Sequence, residues 1–214
     1  MLTLYYSKGS CALASHIALE DSGAAFEAVR INTATGDTRR PEFLAVNPKG
    51  RVPALVTERG LITENPAILA FIAQSFPAAG LAPLDDAYGF AQAQAFNVYL
   101  CATVHVAYAH RWRGYRWADE QTSFDDMARK VPKSMGDGFQ LIEDELLAGP
   151  WVLGEAYSIC DPYLFTLSSW MEGVDIDPAR FPRVLDHRNR MAERPAVKRA
   201  LAREASQANL FADA

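Results

Sequence analysis

Over its first eighty residues the chain switches repeatedly between strand-like and helix-like periods, and beyond about Asp85 it no longer does. Leu2–Tyr6 (LTLYY) is short and β-prone, and a Ser-Lys-Gly-Ser turn follows it. Cys11–Ser22 reads as a helix, with Leu13 and Ile17 on one face, Ala14 and Ala18 beside them, and Gly23 as the stop. Phe26–Asn32 (FEAVRIN) is a second strand. A polar loop and the short PEFLAVNP segment lead to PALVTE and LIT, which flank Arg59-Gly60 as a β-hairpin. Asn65-Pro66 then open a helix through Gln74, with Ile68, Leu69, Ile72 and Ala73 as its buried stripe. The order strand–helix–strand–helix–strand–strand–helix predicts a small α/β unit.

The remainder keeps a helical rhythm, in Phe96, Leu100, Thr103, Val104 and Ala107 and again in Phe139, Leu141, Ile142, Leu146 and Leu147. Phe76–Asp86, broken by Pro77, Gly80 and Pro83, reads as the linker. The expected domains are 1–78, α/β, and 87–214, all-helical, with no internal repeat.

Composition narrows the function classes. Of 214 residues, 21 are Lys or Arg and 26 are Asp or Glu, a net charge of −5, which gives no general reason to bind nucleic acid or an anionic membrane. No apolar run approaches the ~20 residues of a membrane span, and MLTLYYSKGS lacks the basic and apolar regions of a signal peptide. Cys11, Cys101 and Cys160 are too few and too scattered for a disulfide framework or a metal knuckle. A soluble cytoplasmic protein without a metal is expected.

Three signals in the first unit fit one another. Ser10 and Cys11 lie where the first strand hands over to the first helix, and a helix N-terminus favours a thiolate. By position alone, a small packed cysteine is equally consistent. Val52-Pro53 stands at the start of the third strand; a cis bond there turns the Val52 N–H and C=O outward, where an extended peptide can pair. A simple turn proline is the plainer alternative. Asn65 is a candidate N-cap, and the preceding Glu64 is an acid suited to pairing with an amino group. Together they describe a pocket for a small extended peptide carrying an amine, a carboxylate and a thiol.

At this point the sequence resembles the glutathione transferases, most closely the bacterial beta class. YYSKGSCALASHIALE, NPKGRVPALV and ITENPAIL carry the likeness in the first unit, and YSICDPYLFTLSSW and RMAERPAV in the second. The resemblance implies a thioredoxin-like domain joined to a helical domain, working as a homodimer on reduced glutathione. It places Cys11 against the glutathione sulfur, Val52 beside the cysteinyl backbone, Glu64 and Asn65 at the γ-glutamyl end, and His105 over the same pocket. Cys11, Ser10 and His105 are then the candidate catalytic residues. Two positions depart from the family: Asn97 stands eight residues before His105 rather than seven, and Val106 replaces a common lysine. The basic residue that commonly meets the glycine carboxylate aligns with Thr35, with Arg39 and Arg40 further on, so that anchor is unassigned.

Asn97, Cys101 and His105 are spaced four apart and form one helical stripe, facing either the cleft or solvent. The basic-aromatic run His110–Trp117 (HRWRGYRW) is expected to close the helical hairpin and border the second-substrate site through Trp112 and Tyr115, not to bind nucleic acid. Ser158–Asp161 has capping-box spacing, with Pro162 just inside the helix. His16 and Glu20 read as a surface pair, and His187 as part of a charged helix. The activity expected is conjugation of glutathione to small hydrophobic electrophiles. Glutathione-dependent thiol–disulfide exchange through Cys11 and non-catalytic ligand binding are the alternatives.

Overall fold

In the computed structural model, which describes residues 1–211, the chain opens with two parallel strands. β1 (Leu2–Tyr6) pairs with β2 (Phe26–Arg30), Leu2 opposite Phe26 and Tyr6 opposite Arg30. Parallel neighbours need a crossover, and α1 (Ala12–Ser22) supplies it, stopped by Gly23 at φ 70°. α2 (Pro41–Val46) occupies the PEFLAV segment. β3 (Ala54–Thr57) and β4 (Gly60–Thr63) form the hairpin, and β3 also lies antiparallel to β1. The sheet order is therefore β2-β1-β3-β4. α3 (Asn65–Ser75) follows directly, with Ile68, Leu69, Ile72 and Ala73 buried. This is a thioredoxin-like unit.

The chain divides into two compact units: Met1–Phe90 with the chain from Ala192 onward, and Ala91–Met191. The division falls inside α4 (Ala87–Tyr99), which continues through a π turn (Leu100–Val104) into α5 (His105–Ala109). The second unit adds α6 (Gln121–Leu141), α7 (Cys160–Ser168) and α8 (Pro182–Glu193). Every residue of α7 is buried, so this helix is the centre of the unit's core. The capping box forms: Asp161 accepts from the Ser158 N–H at 2.7 Å, and Ser158 Oγ accepts from Cys160 N–H at 3.2 Å. Among the described residues no named strand lies beyond β4; the one extended feature is an isolated bridge between Trp151 and Gly154.

α9 (Pro195–Ser206) belongs to the first unit and packs on α1. That docking explains why Ala12 to Leu19 of α1 are all buried, Ser15 and His16 included. It also corrects the surface reading of His16 and Glu20. His16 is fully buried, with its Nδ1 3.5 Å from Glu204 of α9, and Glu20 pairs with Arg199 and Arg203. His187 is likewise interior, bonded at 3.0 Å to Asp161.

Candidate functional site

The site in the first unit is built where β1 ends. The chain turns at Ser7–Ser10, closed by the Ser10 N–H on Ser7 O at 3.0 Å, with Gly9 at φ 69°. A side chain at Gly9 would meet open space, so its left-handed backbone, not crowding, is what calls for glycine. Cys11 caps α1 and Ser10 Oγ accepts from the Ala12 N–H at 3.3 Å. The half-buried Cys11 thiol lies 3.5 Å from Val52 O, at a cis Val52-Pro53 bond. A carbonyl oxygen accepts a hydrogen bond and cannot donate one. In this arrangement Cys11 is a donor, suited to offering its S–H to an incoming anion.

Glu64 and Asn65 divide their work differently from the N-cap reading. Glu64 precedes α3 at φ 71°, rare for a non-glycine residue, and its carbonyl accepts the Ile68 N–H at 3.0 Å. Its half-exposed carboxylate meets Lys49 Nζ at 2.8 Å, and Lys49 also donates to Thr63 Oγ1 at 2.7 Å. Half-exposed pairs of this kind stabilise little, so the carboxylate can exchange this partner for another cation. Asn65 does not cap: its buried amide accepts from Ser15 Oγ at 2.6 Å and donates to Cys11 O at 2.7 Å. The start of α3 is thereby tied to the start of α1, which puts Cys11 and Glu64 in one site. Asn47 shapes its floor, receiving the Lys49 N–H and donating to Arg51 O. Lys49 had no assigned role in the sequence, although it stands inside the NPKGRVP motif.

The loop after β2 offers no simple basic anchor. Thr35 bonds Asn32 O and Asp37, Arg40 pairs with Asp37, and Arg39 is exposed near Gly50.

In the second unit His105 follows the π turn and packs edge-on against Trp170, centroids 5.2 Å apart, while Tyr108 stacks on Trp170 at 4.4 Å. Trp170 carried no signal of this in the sequence. Trp112 and Tyr115 are 60% and 61% exposed, with Arg111 over Trp112 and Arg116 over Tyr115. Both rings therefore lie largely exposed on the surface of this unit. Buried Gly114 closes the turn because a side chain there would strike Phe124 at 2.9 Å. Cys160 is inert, its thiol pushed far above the usual range by burial and by Asp161. Among the described residues no group of three His, Cys, Asp or Glu is placed to hold a metal ion, and no helix is long and apolar enough to cross a membrane.

A thioredoxin-like sheet with a cysteine at the first helix start, facing the carbonyl of Val52 just before a cis proline, defines a thiol-handling protein with an added helical unit. Comparison with known proteins agrees. The model of the glutathione S-transferase N-terminal domain matches residues 1–74. Glutathione S-transferase GstA of Escherichia coli O157:H7 is 31% identical over 210 residues, 95% of this chain and 98% of that protein. A glutathione transferase homologue from Sulfitobacter, solved with bound glutathione, is 41% identical with a TM-score of 0.92, covering 95% of this chain and 98% of its own. The beta-class glutathione S-transferase of Sphingomonas chungbukensis is 34% identical with a TM-score of 0.83, covering 94% and 98%. The chain belongs to the glutathione S-transferase family.

Proposed function

We propose that this protein conjugates reduced glutathione to small hydrophobic electrophiles. The observation that carries the reading is the pairing of the Cys11 thiol and Val52 carbonyl at the cis bond with the outward Glu64 carboxylate at the start of α3. Val52 pairs with the cysteinyl backbone of the tripeptide. Glu64 takes its α-ammonium in place of Lys49, and Asn65 holds the two helix starts in register. The glutathione thiol gives up its proton to solvent water, and Cys11 S–H and the Ser10 hydroxyl then donate to the sulfur anion. That sulfur forms the new bond to the electrophilic carbon as its leaving group departs. Lowering a thiol from ~8.5 towards ~6.5 requires only ~2.7 kcal/mol, within reach of a helix N-terminus with one or two hydrogen bonds. The family resemblance supports a catalytic role for His105 and a role in electrophile binding for Trp112 and Tyr115.

Calorimetry and steady-state kinetics on two variants test the assignment. Glu64→Ala should weaken glutathione binding by ~1.5–3 kcal/mol. Trp112→Ala should change the Michaelis constant for electrophiles and keep glutathione affinity within about twofold. Unchanged glutathione affinity in the first, or unchanged electrophile kinetics in the second, removes that residue from the site. The family resemblance also supports a cytoplasmic homodimer; a monomer in sedimentation equilibrium at micromolar concentration refutes the dimer.

A second reading is favoured by the half-exposed Cys11 thiol. It is exchange with oxidised glutathione, in which the Cys11 sulfur attacks one sulfur of the disulfide, forms a mixed disulfide and releases one glutathione thiolate.

A further inference from the structure

The C-terminal helix carries a buried acid that the proposed reaction does not use. Glu204 is 2% exposed, yet its Oε2 accepts the N–H of Gly9 at 3.1 Å, across 195 residues of sequence. Gly9 is two residues from Cys11, in the turn that presents the thiol. Oε1 of the same carboxylate has no hydrogen-bond partner and lies 3.5 Å from Nδ1 of buried His16. Immediately after α9, Gln207 accepts from the Tyr6 hydroxyl at 3.3 Å. Glu204 at the end of α9 and Gln207 just beyond it therefore grip the turn after β1 and the end of β1. Burial, reinforced by the Glu204 charge, pushes the Tyr6 hydroxyl up to about 12.

A buried, half-satisfied carboxylate is a poor device for holding two helices together. Its desolvation offsets most of what it gains, and an apolar side chain would pack α9 on α1 as well. Val197 and Ala200, both fully buried, already do that packing. What an apolar residue cannot do is accept the Gly9 N–H. Asn65 meanwhile donates to Cys11 O from the α3 side. The turn is thus held from α9 at Gly9 and from α3 at Cys11, in addition to the Ser7 bonds to Thr33.

We propose that Glu204 is a positioning residue that fixes the Ser7–Cys11 turn through the Gly9 N–H and so sets the placement of the Cys11 thiol. What the thiol is for rests on the function proposed above; the placement itself does not.

The test uses the intact protein without glutathione, so its outcome is separate from the outcome of that reading. Two quantities are measured in the parent, Glu204→Ala, Glu204→Gln and Val197→Ala. One is amide exchange at Gly9. The other is the rate of Cys11 alkylation by iodoacetamide, followed on the Cys11 peptide by mass spectrometry. Glu204→Ala should speed Gly9 exchange at least tenfold and change the alkylation rate at least threefold. Glu204→Gln, which keeps an acceptor and removes the charge, should restore both to within about twofold of the parent. Val197→Ala lowers the melting temperature by loosening α9 and should leave both near the parent. Smaller changes in Glu204→Ala, no rescue in Glu204→Gln, or equal changes in Val197→Ala would each overturn the proposal.

Discussion

At the residue scale, the Cys11 thiol donates to the Val52 carbonyl at 3.5 Å. The proposed function gives it two separable roles. As a donor to a bound glutathione thiolate it is one contact among several, and Cys11→Ala should slow conjugation by roughly 5–150-fold, the range for ~1–3 kcal/mol. As the attacking sulfur in exchange it is indispensable, since no other cysteine stands at the start of α1. Mass spectrometry after exposure to oxidised glutathione should show a single glutathione adduct that disappears in Cys11→Ala. An adduct surviving in the variant, or full conjugating activity without Cys11, refutes these roles. Cys11, Val52 and Glu64 were legible in sequence because each sits in a short motif with its own backbone consequence. Asn65 was legible as a residue but not in its orientation: its amide turns inward to Ser15, 50 positions earlier, where local pattern has no reach.

At the scale of elements, the π turn in the α4–α5 helix accounts for one of the two departures from the family pattern. An α-helix advances about 100° per residue, so an eight-residue spacing turns side chains about 80° apart. A π turn absorbs one extra residue, which returns Asn97 and His105 to within about 20°, as a seven-residue spacing would. Asn97 is fully buried while Cys101 and His105 are half-buried, so the stripe is neither solvated nor uniform. α7 shows the other extreme, an element whose start was readable but whose partners were not. Besides the capping box, Asp161 accepts from Val152 N–H at 2.8 Å and from His187 Nε2 at 3.0 Å. Removing it orphans several buried donors at once, so Asp161→Ala should lower unfolding stability by ~3–5 kcal/mol. Urea denaturation checks this, and a loss under ~1 kcal/mol would reduce the box to an ordinary cap.

At the scale of the whole molecule, the chain beyond α9 returns along the edge of β2. The Leu210 N–H donates to Arg30 O at 2.8 Å, and Asn209 donates to Asp37 at 2.8 Å. Burial alone pushes the Asp37 carboxyl up, but bonds from the Asn32 N–H, Asn209 and Thr35, with Arg40 nearby, outweigh it and hold it below the usual carboxylate range. A depressed native value means the stabilisation is complete above the unfolded value of ~3.9 and is lost as pH falls through the lower native one. Leu210 amide exchange, corrected for its intrinsic rate, should therefore accelerate as pH falls below about 4. In Asp37→Asn it should already be fast at pH 5 and change little. A parent Leu210 that follows the intrinsic rate alone refutes the link.

What the sequence determined by itself was whatever depends on neighbours within a few turns: the strand and helix order, the hairpin at Arg59-Gly60, the stop at Gly23, and the motifs that mark the family. Tertiary structure alone decided that α9 comes back to bury α1, that His16 faces Glu204 instead of water, and that Glu204 grips Gly9 from 195 residues away. Periodicity records which side of a helix is apolar; it holds no information on which distant element will cover that side. Contacts of that kind are selected by the packing of the finished core, so they become readable only once the chain has folded.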